Sequence, residues 1–235
     1  MLEGKVALIT GGSKGIGYGI AEALLAQGMK IAITSRSQSA ADKAAANLGN
    51  AENVLAVKAD VRSYGAQQKA VDLVLEKWGK LDAMIANAGV GHFAPIEDMT
   101  PDQWHEVIDV NLTGVFYSTK ASIDALKVSQ GYLITIASLA GTNFFAKGAA
   151  YNASKFGLVG FTQAVMLDLR QAGVKVSTIM PGSVSTYFNG RTPTDAESWK
   201  IQPEDIGKLV ADLLTMPART LPSKVEVRPS MPPKK

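Results

Sequence analysis

Lys5-Val6-Ala7-Leu8-Ile9-Thr10-Gly11-Gly12-Ser13-Lys14-Gly15-Ile16-Gly17 passes from an unbroken apolar run into a cluster of glycines. The apolar part has the character of a strand buried on both faces. Beyond it, Ile20, Ala23 and Leu24 recur at helical spacing as far as Gln27-Gly28. Strand, glycine-rich turn and helix in that order predict a loop that cradles the phosphates of a dinucleotide. Glycines let the backbone turn tightly and approach the pyrophosphate, and the helix start supplies free N–H groups and a positive dipole end. The spacing is T-G-x-x-x-G-x-G on Thr10, Gly11, Gly15 and Gly17, not G-x-G-x-x-G. The mononucleotide pattern G-x-x-x-x-G-K-S/T is absent.

Working outward, residues 29–34 read as a second strand and complete a β-α-β unit of about 30 residues. Where an NAD-selective site has a carboxylate for the ribose hydroxyls, this strand ends in Ser35-Arg36. A guanidinium there suits a 2′-phosphate, and Lys14 in the loop adds a second cation, so NADP is expected in preference to NAD. The alternation continues with helices at about 39–48 and 64–78 and strands at 53–58 and 81–86. A long helix follows, from Pro101 behind an N-capping Thr100 to about residue 128, with Asn111 midway. Residues 131–137 form a strand ending in Ser138, 139–149 a loop with exposed aromatics, and about 150–171 a helix. Residues 174–180 form a strand broken by Pro181-Gly182, then come a polar stretch, a helix at 203–215, a strand at 224–227 and a proline-containing tail over 229–235. The expectation is one doubly wound α/β domain, 1–235, with a single parallel sheet and helices on both faces. Ligands bind such a sheet at the carboxyl ends of its strands, and Gly11, Arg36, Asp60, Asn87, Ser138 and Pro181-Gly182 all fall just past a strand end.

Tyr151 and Lys155 are four residues apart and share one face of their helix. A free tyrosine titrates near ~10 and is a poor acid or base at neutral pH. A neighbouring ammonium favours the phenolate and is expected to pull that pKa towards the range useful for proton transfer.

Composition removes several other classes. The chain is 46% hydrophobic and 19% charged with a net charge of +3, and its basic residues are scattered apart from Lys234 and Lys235. That balance makes no case for a nucleic-acid or membrane surface. There is no cysteine, hence no thiolate nucleophile or Cys-ligated metal, and the two histidines, His92 and His105, lack metal-ligand spacing. The start of the chain has no long apolar leader-like run, and no stretch reaches the ~18 apolar residues of a membrane span, so a cytoplasmic protein is expected.

Thr10-Gly11-x-x-x-Gly15-Ile16-Gly17, Asp60, Asn87-Ala88-Gly89, Asn111, Ser138, Tyr151-x-x-x-Lys155 and Pro181-Gly182 stand in fixed order over nearly the whole chain. In these motifs the chain resembles the short-chain dehydrogenase/reductase family, including its 3-oxoacyl-ACP reductase-like and carbonyl reductase members. The resemblance implies a Rossmann-type fold and a catalytic set of Asn111, Ser138, Tyr151 and Lys155. Tyr151 would pass a proton to or from the substrate oxygen, Ser138 orient that oxygen, and Lys155 lower the tyrosine pKa and hold the nicotinamide ribose. Asn111 would bend its helix and hold a water linking Lys155 to solvent. For the cofactor, the resemblance implies Gly11, Ser13, Lys14, Gly15, Ile16 and Gly17 at the phosphates, Ser35 and Arg36 at the 2′ position, and Asp60 and Val61 at the adenine. Asn87, Ala88 and Gly89 would lie on the adenosine side, and Pro181, Gly182, Val184 and Thr186 beside nicotinamide and pyrophosphate. It also implies a homodimer or homotetramer joined through the helices at about 102–128 and 150–171. Val110, Val115, Phe116, Leu158, Phe161 and Val165 are compatible with that interface or with the domain core.

The departures matter too. The segment between Thr186 and Ile206 is short for the family, leaving the site more open or closed by Phe144, Phe145, His92 and Phe93. The end lacks the glycine-rich finish common in fatty-acid-synthesis ketoreductases. The leading expectation is an NADP(H)-dependent carbonyl reductase or alcohol dehydrogenase acting on a small molecule, with a 3-oxoacyl-thioester reductase as the rival. A non-catalytic dinucleotide-sensing regulator is disfavoured, since it should lack the Tyr/Lys pair. His92 is read as pocket wall and His105 as solvated.

Overall fold

Among the described residues seven strands join one parallel sheet: β1 (Val6–Ile9), β2 (Lys30–Ser35), β3 (Val54–Lys58), β4 (Ala83–Ala86), β5 (Tyr132–Ile136), β6 (Lys175–Pro181) and β7 (Lys224–Val227). The computed structural model describes residues 2–49 and 51–232; Met1, Asn50 and, from the proline-containing tail, Pro233, Lys234 and Lys235 lie outside the described residues. The strand order is β3-β2-β1-β4-β5-β6-β7, so the winding reverses between β1 and β4 and opens a crevice at their carboxyl ends. Every residue of β1, β4 and β5 is buried, which is why these strands read as continuous apolar runs and not as alternation.

The two faces are covered by the α-helices α1 (Gly15–Leu25), α2 (Gln38–Leu48), α3 (Tyr64–Trp78), α4 (Pro101–Ile108), α5 (Gly114–Ser129), α6 (Ala149–Leu169) and α7 (Pro203–Thr215). Ala7 and Ile9 of β1 pack on one face with Ile20 and Leu24 of α1 and Ile206 and Val210 of α7. Val6 and Leu8 face the other way, onto Val71 and Val74 of α3 and Leu126 of α5. This is a Rossmann-like doubly wound sheet, as the sequence implies. Among the described residues no helix is long and apolar enough to cross a membrane, and no cluster of His, Cys, Asp or Glu could hold a metal ion.

Local signals account for the helix ends. Ser37 and Ser63 cap α2 and α3 by accepting from the N–H groups of Ala40 and Ala66, and Thr100 forms a reciprocal capping box with Gln103 ahead of Pro101. Helices α1 and α7 meet through glycines. A side chain at Gly207 would place its Cβ 2.4 Å from the Gly19 carbonyl oxygen, so the two backbones nearly touch.

Two elements differ from the sequence expectation. The long helix predicted over about 102–128 is α4, one π turn over Asp109–Thr113, and α5. Asn111 in that turn bonds to groups outside its helix, and a π turn accommodates the displaced backbone. The predicted break at Pro181 is instead the last residue of β6, paired with Val227. A missing N–H is tolerated there because the ladder to β5 has already ended at Ile179.

Candidate active site

The turn after β1 needs its glycines for different reasons. Gly11 and Gly15 have φ of +65° and +59°, in the left-handed region that side chains resist. Gly17 is required by crowding: a Cβ there would fall 2.5 Å from the Asn87 amide nitrogen and 2.6 Å from the Gly11 carbonyl. Lys14, exposed, stands at the N-cap of α1 with no side-chain capping bond, and the first turn holds no acidic residue. The helix thus presents uncapped N–H groups, with Ser13 and Ile16 on either side of the turn. A Cβ at Gly15 would meet Thr186 at 3.5 Å, so the segment after β6 closes over the start of α1. Within that segment Val184 bridges to Ile201, and Gly182 follows Pro181 at the end of β6.

The turn after β4 is braced to this one. The N–H groups of Asn87 and Ala88 donate to the Thr10 hydroxyl at 3.0 and 3.1 Å, and the Asn87 amide donates to the carbonyls of Thr10 and Gly11 at 2.9 and 3.3 Å. Asn87 therefore spends its amide on the protein. Thr10, which the motif includes but the binding set does not, is the other half of the brace.

At the end of β2, the hydroxyls of Ser35 and Ser13 lie 3.4 Å apart. The Arg36 guanidinium is 60% exposed and forms a loose ion pair with Glu106, at 3.8 Å. The other Glu106 oxygen is 2.7 Å from His92 Nε2. That hydrogen bond, together with the charges of His92, Arg36 and Arg62, holds the Glu106 carboxyl below the usual carboxylate range although partial burial works against it. His92, expected from the sequence as pocket wall, is also an anchor for Glu106. Past β3, the Arg62 guanidinium grips both oxygens of Asp60, at 2.6 Å for the shorter ion pair, and draws its pKa down, while Val61 packs against Gly114 of α5. Neither Glu106 nor Arg62 was legible as a partner, since each pairing depends on how separate loops converge.

Helix α6 carries Tyr151 and Lys155, and the turn after β5 carries Ser138. Lys155 is 4% exposed; its ammonium donates to the Ile136 carbonyl at 3.0 Å and sits 5.7 Å from the centre of the Tyr151 ring. Burial lowers its pKa to about 8. Burial also raises the Tyr151 pKa, and hydrogen bonding with Ser138 opposes that only in part. The expected lowering of Tyr151 by Lys155 is therefore corrected: burial dominates, and both groups are pushed towards their neutral forms. Ser138 accepts from the Ala140 N–H at 3.1 Å, which fixes its hydroxyl at the mouth of the site.

Asn111 is fully buried. Its amide donates to the Val90 carbonyl at 2.9 Å and the Ser154 hydroxyl at 3.1 Å, and its oxygen accepts from the Val90 N–H at 2.8 Å. The π turn is thereby tied to both the β4 loop and α6. With these side-chain N–H groups committed, the water contact implied for Asn111 is left to the main chain. The absent side chain of Gly89 leaves a face 3.9 Å from the Lys155 ammonium.

Aromatic rings surround the phenol. Phe93 lies 5.4 Å from Tyr151 between ring centres, Phe188 lies 5.8 Å from it, and Phe145 stacks behind Phe93 at 5.9 Å. Of the residues expected to close the site, Phe93 and Phe145 are there, while Phe144 is 86% exposed and turned to solvent. Phe188 was missed; a pair of aromatics, Tyr187-Phe188, inside a polar stretch was its only signal.

Comparison with known proteins agrees with this geometry. A family model described as short chain dehydrogenase matches residues 5–197. An uncharacterized oxidoreductase of Staphylococcus saprophyticus is 33% identical over 232 residues, 97% of this chain and 98% of the relative. A 3-oxoacyl-[acyl-carrier-protein] reductase of Synechocystis is 35% identical, with 92% of each chain covered. Among solved structures, an alcohol dehydrogenase from the archaeon Thermococcus sibiricus complexed with 5-hydroxy-NADP superposes with a TM-score of 0.92 at 30% identity, covering 99% of this chain and 100% of that one. A 3-ketoacyl-(acyl-carrier-protein) reductase from Brucella melitensis complexed with NADH has a TM-score of 0.87 at 28% identity, covering 98% and 99%. With a braced glycine turn, a Tyr-Lys pair whose lysine is buried and a full-length match to such enzymes, the chain belongs to the short chain dehydrogenase family and is an oxidoreductase.

Proposed function

We propose that this oxidoreductase is an NADP(H)-dependent carbonyl reductase, interconverting a ketone or aldehyde and its alcohol. The observation that carries the reading is the meeting of the Tyr151 and Ser138 hydroxyls over a buried Lys155, beside a turn whose glycines leave room for phosphate. The donor set fits a dinucleotide: the start of α1 is uncapped and free of carboxylates, and Arg36 waits at the end of β2. A bound nicotinamide dinucleotide supplies the hydride. Ser13, Lys14, Gly15, Ile16 and Gly17 hold the phosphates, with Thr186 closing over them. Asp60, Val61, Ala88 and Gly89 border the adenosine, and Pro181, Gly182 and Val184 the nicotinamide side. Ser138 orients the substrate oxygen, Tyr151 protonates it as the carbon is reduced, and Lys155 holds the ribose and helps restore the proton.

NADPH consumption across ketones, aldehydes and acyl thioesters tests the activity. Carbonyl-dependent oxidation is the expected result; tight binding with no turnover on any carbonyl would favour the nucleotide-sensing regulator. The Synechocystis relative supports a second reading, a 3-oxoacyl-thioester reductase, in which thioesters would be the best substrates.

The NADP preference rests on Arg36. A 2′-phosphate brings nearly two negative charges to a guanidinium held by a loose pair with Glu106, and should displace that carboxylate. Arg36→Ala is expected to lower kcat/KM for NADPH on the order of ten- to a hundredfold, the equivalent of a charged hydrogen bond worth about 1.5–3 kcal/mol. The value for NADH should barely change; equal losses for both would show that Arg36 does not read the phosphate.

We also infer a cytoplasmic homodimer or homotetramer. Val110, Val115 and Leu158 are buried within the subunit, so they do not form its outer face. Phe116 of α5 with Phe156 and Leu167 of α6 are exposed and leave an apolar surface for a second copy. Light scattering at micromolar concentration should give a dimer or tetramer mass; monomer alone would count against it.

A further inference from the structure

Among the described residues the short segment after β6 forms no α-helix over the site, only single turns at Phe188–Gly190 and Asp195–Glu197, the first of them beside Tyr151. Asn189 and Gly190 have φ of +58° and +74°, so the chain doubles back at once, and the Phe188 N–H lies 3.3 Å from the Thr186 hydroxyl. What the turn delivers is one ring. Phe188 and Phe93 converge where Gly91 has no side chain: a Cβ there would fall 2.8 Å from Phe188 and 3.0 Å from Phe93. Phe93 and Phe188 are 6.5 Å apart between centres, both tilted against the Tyr151 ring, and both remain more than a third exposed. Apolar rings left partly open beside a proton-donating phenol form a wall for something flat and apolar. The adjacent titratable group, His92, is bonded to Glu106.

We infer that the substrate is an uncharged aryl ketone or aryl aldehyde, its ring packed against the wall of Phe93 and Phe188 while its oxygen reaches Tyr151 and Ser138. This rests on the carbonyl-reductase reading above and names its substrate class. A carboxylate on the ring would lose its water against this apolar surface, and a small dialkyl ketone would leave the rings unfilled.

The test compares kcat/KM with NADPH for acetophenone, 4-acetylbenzoate, 2-butanone and acetoacetyl-coenzyme A, in the wild type and in Phe188→Ala, Phe188→Leu and Phe93→Ala. Acetophenone should exceed each of the others by about tenfold or more. Phe188→Ala and Phe93→Ala should reduce the acetophenone to 2-butanone ratio on the order of ten- to a hundredfold, mainly through KM, with Phe188→Leu between. Comparable values for all four compounds in the wild type, or alanine variants that lower every substrate equally, would overturn the inference and leave the reductase reading standing. NADPH binding without turnover of any carbonyl would overturn both.

Discussion

Tyr151→Phe is expected to lower kcat/KM for carbonyl reduction about 10²–10⁴-fold, the usual worth of a positioned general acid, with NADPH affinity within a few fold of wild type. The change deletes one oxygen and keeps the ring, so the contacts with Phe93 and Phe188 at 5.4 and 5.8 Å survive. Ser138 keeps its bond from Ala140 and can still orient the substrate oxygen, but no proton is delivered. The direction of the pKa shift adds a second readout. Burial raises the Tyr151 pKa, so the phenol stays protonated through neutral pH. Wild-type reduction should therefore hold across neutral pH and fall only under alkaline conditions. Alcohol oxidation, which needs the phenolate, should climb with pH. The residual rate of the variant should lose both trends. Near-native reduction by Tyr151→Phe would sink the proposed mechanism.

Lys155→Met should cost turnover a hundredfold or more and weaken nucleotide binding, yet leave the unliganded fold more stable at neutral pH. In the unfolded chain Lys155 titrates near its ordinary 10.5, and in the fold at about 8. Below pH 8 the ammonium is charged in both states, and the fold carries the full desolvation penalty, on the order of 3 kcal/mol. As pH rises from about 8 towards 10.5 the folded form sheds its proton first, so the wild type gains stability over that window. Methionine keeps an unbranched stem of similar size and removes the charge, for an expected gain of about 1–3 kcal/mol at pH 7 that fades as pH approaches 10.5. At roughly 2–4 °C per kcal/mol for a chain of this size, thermal melts of both proteins at several pH values resolve it. A Met variant melting below wild type at pH 7 would mean that the bond to Ile136 outweighs the cost of burying the charge. The stability sacrificed at Lys155 belongs to a residue kept for its chemistry.

The fold was legible because its signals are local. Strands buried on both faces appear as unbroken apolar runs, and glycines, prolines and capping residues mark where each element stops. Tyr151, Lys155 and Ser138 were legible because a helix repeat and a strand end fix where they lie. The sign of the Tyr151 pKa was not, because spacing reveals that a charge is near but not how deeply the pair is buried. The π turn escaped for a related reason: Asn111 distorts its helix through partners at Val90 and Ser154, distant in sequence. Arg36 was placed correctly at its strand end, but its pairing with Glu106 depends on α4 crossing over that end. Phe188 lies in irregular chain, where no period tells which side chain turns inward.

The cross-brace between Thr10 and Asn87 has a kinetic consequence. Four hydrogen bonds fasten the turns after β1 and β4 to each other, so the floor of the crevice is a fixed body that does not part to admit a ligand. The opposite wall is the short stretch through Phe188, fastened at its start to Thr186 and at the isolated bridge from Val184 to Ile201. Movement that admits or releases a ligand is therefore expected on the side of that stretch and not in the braced floor, and such a movement can set the slowest step of a turnover.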